Sequence, residues 1–526
     1  MYRIPDAALV NRRWLLSRTM PRMIARGLVA GVALSAVLVS CGGSTGSAEP
    51  KGVLPVELDT AHSFLILATE AAAAAYGDAI QTCRRMHSTA RIEYFRPEDL
   101  ASVESLLREH EPYYVQLFMM PHELDVNFNW RWLAMTAGLD TDPFVDTRAG
   151  IITGATPDDA ARFVERILRA TSGELLLPAT MVDNLGPNPQ VAPGSITTFP
   201  TSYFLPALGA SMGLKGISHG AGYQDQWLDA MSGAGIIHLG GHGHPDGIDD
   251  GMTASQARRA TLDPCVVFSG VCYTGVCGVW FDMYGSENRV VLHMTDPSES
   301  FCLQLLGNNV IGYLAALHPD HGIPVYQEME FMAHLGSSLG EVMKHSYDGV
   351  VLGRGGELPE FEFLTDGMPS PRWTPAEIML HGTASRVLFG DPSLRITKAL
   401  DVPAPLRVTT ERRGSALIVG GIMNNPEYKA TFTDPFHDYL AFQRNMFNDR
   451  MLLSVPLAAE DPSSSSVRVL GAANGPRRIE HRLQGWGIEH DAGGRVLHVQ
   501  VDLASTGYMQ SEWRTRGAAV GIEALP

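Results

Sequence analysis

Three histidines and an aspartate crowd the stretch IIHLGGHGHPDG, Ile236 to Gly247, and a cysteine closes a second apolar run, PCVVFSGVCYTG, with Cys272. Two chemistries draw on these residue types. His242, His244 and Asp246 have the His-x-His-x-Asp spacing of a zinc site, in which imidazoles and a carboxylate hold the ion and the ion activates water. Alternatively, His242 is the base for Cys272. A thiol with a pKa of about 8.5 becomes a useful nucleophile at neutral pH when an imidazole takes its proton or stabilises the thiolate. Gly243, directly after His242, lets a backbone N–H come close to a reacting carbonyl. Gly270 and Gly275 suit a tight, exposed turn around Cys272.

Strands must present these residues. SFLILATEAAAAAYGDAI predicts a buried strand from Phe64 to Leu67 and then an Ala-rich helix, and RIEYF, Arg91 to Phe95, predicts a second strand. Pro97 opens a helix with Leu100, Val103, Leu106 and Leu107 on one face, and YYVQLFMM, Tyr113 to Met120, supplies a third strand. Strand, helix, strand, helix, strand implies parallel pairing and an open α/β sheet flanked by helices. A further helix is capped by Thr156, has Pro157 at its first position, and carries Asp158 and Asp159 at the positive end of its dipole. Phe163, Val164, Ile167 and Leu168 form its apolar stripe. More strands follow near Gly235 to Leu239, Cys265 to Phe268 and Val310 to Leu317. In a parallel sheet the runs ending at His242 and Cys272 open on one carboxyl edge, where α/β sites form. After about residue 400 the pattern turns to short alternating strands, SALIVGG, SSVRVLG and RVLHVQVDL, which fit a C-terminal β-sandwich of roughly 120 residues.

The block from His242 to Asp246 resembles the signature of metallo-β-lactamase-fold hydrolases, but Gly247 stands where that family places its next histidine, and the βαβ units do not match its architecture. His293, His318 and His321 are further donors open to a zinc site in a chain of 18 histidines. A hydrophobic block ending in His-Gly, then one ending in Cys, instead resembles the caspase-like clan of cysteine peptidases, in particular the gingipain-type family. DPFVDTRAGIITGATPDDAARFVERIL is similar to that family's N-terminal subdomain, SESFCLQLLGNNVIGYLAAL to its segment after the cysteine, and SRVLFGDPSLRI, Ser385 to Ile396, to the segment closing its catalytic domain. The resemblance spans about residues 60 to 500, in order. It implies a caspase-like sheet in two subdomains followed by an immunoglobulin-like sandwich. It also implies Cys272 as nucleophile, His242 as general base and acid, and the backbone N–H groups of Gly243 and Cys272 as oxyanion donors. No cofactor and no metal are implied, and the partner is a peptide or protein substrate. Ile151 departs from the family's arginine after Gly150, and Asp183 in MVDNLGPNP is the nearest candidate for a substrate-binding carboxylate. A second reading keeps the fold as a lipid-anchored binding or secretion-associated protein with little turnover.

The remaining features set the surroundings. Arg22 and Arg26 precede GLVAGVALSAVLVSCGGS, an apolar run of about a dozen residues, too short to span a bilayer as a mature helix. Its exit, Leu38-Val39-Ser40-Cys41, resembles the bacterial lipobox, which implies cleavage before Cys41, a lipid on its sulfur, and a place in the cell envelope, at the outer membrane or surface rather than the inner membrane. The expected organisation is thus a signal peptide over 1–41, a flexible tether over 42–58, an N-terminal α/β subdomain over 59–190, a catalytic subdomain over 191–400 and the β-sandwich over 401–526. Forty basic against 57 acidic residues, a formal charge of −17, and no basic run argue against nucleic-acid binding. Six cysteines without a Cys-x-x-Cys pair make no dense disulfide framework, and an odd number remains once Cys41 is lipidated. Cys83, Cys265, Cys277 and Cys302 read as small buried hydrophobes.

Overall fold

The computed structural model describes residues 52–183, 214–216, 228–229, 231–249, 251–319, 328–329, 332, 336–396, 406–423, 450–459, 461, 466–474, 477–478, 482–491, 494–502 and 518–525. The residues expected to form the signal peptide, Cys41, the expected tether as far as Lys51, Asp250, His321 and Leu503 lie outside them. Among the described residues no helix is long and apolar enough to cross a membrane.

Ten strands build one sheet: β1 (Phe64–Thr69), β2 (Arg91–Phe95), β3 (Tyr114–Phe118), β4 (Arg148–Ile152), β5 (Met181–Asp183), β6 (Leu214–Gly216), β7 (Ile236–Gly240), β8 (Cys265–Gly270), β9 (Val310–Ala316) and β10 (Arg386–Gly390), in the order β2-β1-β3-β4-β10-β9-β8-β7-β5-β6. Flanking it are α1 (Glu70–Ala75), α2 (Gly77–Met86), α3 (Leu100–His110), α4 (Val126–Thr136), α5 (Pro157–Thr171), α6 (Ala254–Arg259), α7 (Phe301–Leu306), α8 (Leu339–Gly353) and α9 (Pro375–Ala384). The class is α/β with a mostly parallel sheet. β8 and β9 are apolar and buried nearly throughout, as central strands covered on both faces require.

Two sequence expectations need correction. α3 starts at Leu100, not at Pro97, because Asp99 is the cap: its Oδ1 accepts from Ser102 N at 3.3 Å. The sheet is not wholly parallel, since β10 runs antiparallel to β9. Among the described elements, α8 and α9 lie between β9 and β10 in the chain. β10 also meets β4, where Phe389 pairs with Ile151 in a buried strand contact. Gly150 is needed there, for a Cβ would stand 2.3 Å from the Gly390 carbonyl. Gln116 Nε2 spans the same junction, donating to Gly150 O at 2.8 Å and Gly390 O at 3.2 Å. α5 begins at Pro157 as expected, with Thr156 Oγ1 accepting from Asp159 N at 3.1 Å.

From Leu406 onward the described chain is all β. β11 (Leu406–Arg413), β12 (Ala416–Met423), β13 (Arg450–Leu457), β14 (Ser466–Asn474), β15 (Arg477–Arg478), β16 (Arg482–Asp491), β17 (Gly494–Asp502) and β18 (Ala518–Leu525) form two antiparallel sheets, β11-β12-β18-β14-β15 and β13-β17-β16. Leu417, Val419, Leu453, Val455, Leu497, Val499 and Val501 make an apolar core of their own. The alternation in RVLHVQVDL predicts an outward face at His498 and Gln500, yet both are buried. That face joins a polar seam with α8: His498 Nε2 lies 2.7 Å from Glu489 Oε2, Lys344 Nζ lies 2.9 Å from Glu489 Oε1, and Lys344 also pairs with Asp348. Arg148 Nη2 reaches Glu489 at 3.3 Å while its guanidinium covers the Tyr113 ring at 3.8 Å.

Candidate active site

β7 and β8 are adjacent parallel strands in continuous register, from Ile236 opposite Val266 to Gly240 opposite Gly270. His242 and Cys272 each lie two residues past the last matched pair, so one sheet edge carries both. Gly241 turns the chain out of β7 with φ +125°, a backbone that L side chains rarely adopt. A tight hairpin follows, Gly243 opposite Ile248 and His244 opposite Gly247, and it is fixed by Asp249 N donating to His242 O at 2.9 Å and Ala254 N to Asp246 O at 2.8 Å. The hairpin lies against the cysteine turn. A Cβ on Gly243 would meet Val271 Cγ1 at 2.4 Å and the Cys272 carbonyl at 3.3 Å. His242 is exposed and Cys272 half-buried.

Buried hydrogen bonds hold the cysteine turn from beneath. The hydroxyls of Ser269 and Thr274 lie 2.8 Å apart, Thr274 Oγ1 donates to Val271 O at 2.9 Å, and Val271 N donates to Ser269 Oγ at 3.3 Å. Gly275 N donates to Ala316 O at 2.8 Å and the Tyr313 hydroxyl to Thr274 O at 2.9 Å, tying the turn to β9. Arg386, at the start of β10, donates to Ser269 O at 2.7 Å and makes a two-pronged pair with Glu328, Nη2 to Oε2 at 2.6 Å, with both side chains wholly buried. Tyr273, next to the thiol, is held at φ +62°. A non-glycine residue in the left-handed region is a strained feature that clusters at functional sites. Its ring packs edge-on against Trp280 at 5.0 Å and His318 at 5.8 Å. Burial pushes the Tyr273 phenol well up, and the Asp282 carboxylate and a thiolate at Cys272 push the same way.

The other candidates fall as follows. His244 is exposed and faces Asp249 across the hairpin at 3.6 Å, and Asp246 is exposed. Among the described residues, the one trio of metal-type donor atoms lying within 4.8 Å of one another is Cys83, His87 and Asp391. His242, His244 and Asp246 are not among the donor groups that lie within that distance of one another. In the other trio, His87 Nε2 lies 2.6 Å from Asp391 Oδ2, and Asp391 Oδ1 accepts from Ser393 N and Oγ at 2.9 and 2.7 Å. Burial alone would raise that carboxyl; the His87 charge and the Ser393 hydrogen bonds outweigh it and hold it low. His87 and Asp391 thus form a buried hydrogen-bonded pair. His238 is buried within β7, His318 is buried just past β9, and His293 stacks on Trp280 at 4.6 Å. Asp183 ends β5, in register with His238. Sequence reasoning missed Ser269, Tyr273, Thr274, Glu328 and Arg386. Ser269, Tyr273 and Thr274 had a signal in PCVVFSGVCYTG and Arg386 in SRVLFGDPSLRI, whereas Glu328 had none.

No family model and no curated protein matches the chain. Among solved structures, it is similar to one described as "Structure of Protease", with a TM-score of 0.42 and 8% identity over 85% of this chain and 92% of that one. It is also similar to the separase–securin complex of Saccharomyces cerevisiae, with a TM-score of 0.33 and 11% identity over 53% of this chain and 15% of that one. Both similarities are too weak to establish shared architecture or activity.

Proposed function

We propose that the chain is a cysteine endopeptidase of the caspase-like, gingipain type, lipid-anchored through Cys41 in the bacterial cell envelope, with an immunoglobulin-like C-terminal sandwich. One observation carries the peptidase reading: neighbouring parallel strands end in an exposed His242 and a half-buried Cys272, with Gly243 against the cysteine turn. The anchor and the envelope location rest on the lipobox resemblance alone.

In the reaction, His242 takes the Cys272 proton as sulfur attacks the peptide carbonyl, and the backbone N–H groups of Gly243 and Cys272 receive the oxyanion. Collapse breaks the C–N bond, and the imidazolium returns its proton to the departing amine. Water, deprotonated by His242, then attacks the thioester, releasing the acid and restoring the thiol. Asp183, on the strand beside β7, is the residue we assign to substrate binding, on its strand position and the sequence resemblance.

Fluorogenic peptides varied at the residue before the cut test this reading. Cleavage should be lost in Cys272→Ala and in His242→Ala, and Asp183→Asn should change the preferred residue. Full cleavage by Cys272→Ala would end the proposal.

A further inference from the structure

The loop leaving Cys272 carries a second cysteine, and that thiol is not isolated. Cys277 Sγ lies 3.6 Å from Cys302 Sγ, and both residues are fully buried. The segments that carry them are held in place by their neighbours. Ser300, which caps α7, donates its Oγ to Val276 O at 2.7 Å and accepts from Leu303 N at 3.1 Å. Phe301 N donates to Pro245 O at 2.8 Å. The start of α7 therefore touches the cysteine turn and the His242 hairpin together, and the two thiols meet at that junction.

We infer that Cys277 and Cys302 form a disulfide that locks the cysteine turn and α7 together. The thiols already touch, so side-chain rotation, with little backbone travel, closes the gap to a bond. The chemistry is thiol–disulfide exchange with an external disulfide, a small-molecule or protein oxidant. Two thiols give up two protons and two electrons, one S–S bond forms, and the oxidant leaves as two thiols. Burial raises the Cys302 thiol well above its ordinary range and the adjacent Cys277 thiol adds to this, so exchange belongs to the folding chain, before the junction closes. Of the five cysteines after Cys41, two join, Cys83 and Cys265 stay buried, and Cys272 is left as the accessible thiol. The link rests on the thiol geometry, and only its effect on turnover rests on the peptidase reading.

Peptide mapping of the full chain refolded in a glutathione redox buffer tests this. After denaturation in iodoacetamide without reductant, a peptide pair joined through Cys277 and Cys302 should appear, vanish on reduction, and be missing from Cys277→Ser and Cys302→Ser but present in Cys265→Ser. Recovery of both cysteines alkylated in the wild-type chain overturns the inference, whatever the variants do. As a second readout, reductant should lower the wild-type thermal midpoint by a few degrees, to that of the double Cys277→Ser/Cys302→Ser variant, and leave the variant unmoved. A midpoint that ignores reductant in both would also overturn it. Neither readout uses peptide cleavage, so the link can fail while the peptidase stands, and the reverse.

Discussion

Gly243 and Val271 approach so closely that a methyl on the first would stand 2.4 Å from Cγ1 of the second and 2.9 Å from the Gly247 carbonyl. Val271 can turn aside, but Gly247 O is backbone of the His242 hairpin and can yield only if the hairpin moves. Gly243→Ala should therefore cost about 1–3 kcal/mol of stability by overpacking. Under the peptidase reading, kcat/KM should fall at least about tenfold because the hairpin is displaced from the cysteine turn. Denaturant melts and peptide kinetics on the same preparation check both, and an unchanged kcat/KM would place the oxyanion donors elsewhere.

Accessibility should rank the thiols sharply. Cys272 is half-buried, whereas Cys83, Cys265, Cys277 and Cys302 are buried. Burial pushes the Cys265 thiol up to about 12 and the Cys83 thiol well above its usual range. Brief treatment of the native protein with iodoacetamide at neutral pH should modify Cys272 at least about 100-fold faster than Cys83 or Cys265, since the thiolate is the reacting form. Mass spectrometry of a time course reads this directly, and equal rates at Cys272 and Cys265 would contradict the arrangement.

Beneath the turn, Arg386 and Glu328 are both shut away from water. Removing one charge strands the other, so Glu328→Gln and Arg386→Met should each cost about 3–5 kcal/mol, and Arg386→Met/Glu328→Leu less than their sum. Urea unfolding of the three variants measures the coupling, and strict additivity would mean that the pair does not act as a unit.

Much of this was legible locally. Thr156, Pro157, Asp158 and Asp159 specify the start of α5 through capping chemistry that depends on adjacent residues alone. The runs ending at His242 and Cys272 announced buried strands because parallel central strands are apolar on both faces. What stayed hidden is what distant segments decide. No property of RVLFG reveals that β10 runs opposite to β9. His498 and Gln500 alternate as an outward face, yet both are buried, with Phe144 packed on His498 and Glu489 linking it to Lys344 of α8. Arg386 and Glu328 are 58 residues apart, and their pairing has no periodic signature.

Asp146, close to the seam between α8 and the C-terminal strands, should contribute a stability that falls with rising pH. Burial, first, and then the Asp140 and Asp142 carboxylates push Asp146 up to about 8 against the partial relief of Lys344, and its Oδ2 is buried without a hydrogen-bond donor. Burial likewise carries Asp142 to about 7. The unfolded chain ionises Asp146 near its ordinary value of 3.8, so across the interval from about 4 to about 8 the folded state holds a proton that the unfolded state has lost. Stability then declines as pH rises through that interval and levels off above it. Asn mimics the protonated acid and cannot ionise, so Asp146→Asn should match the wild type near pH 4. Its advantage should grow to ~1–3 kcal/mol by about pH 8, the full shift being reduced by solvent at a half-exposed residue. Taking the difference between the two proteins cancels the titrating groups that do not interact with Asp146. Urea melts at intervals from pH 4 to 9 supply that difference, and a constant offset across the range would show that Asp146 is ionised in the folded chain.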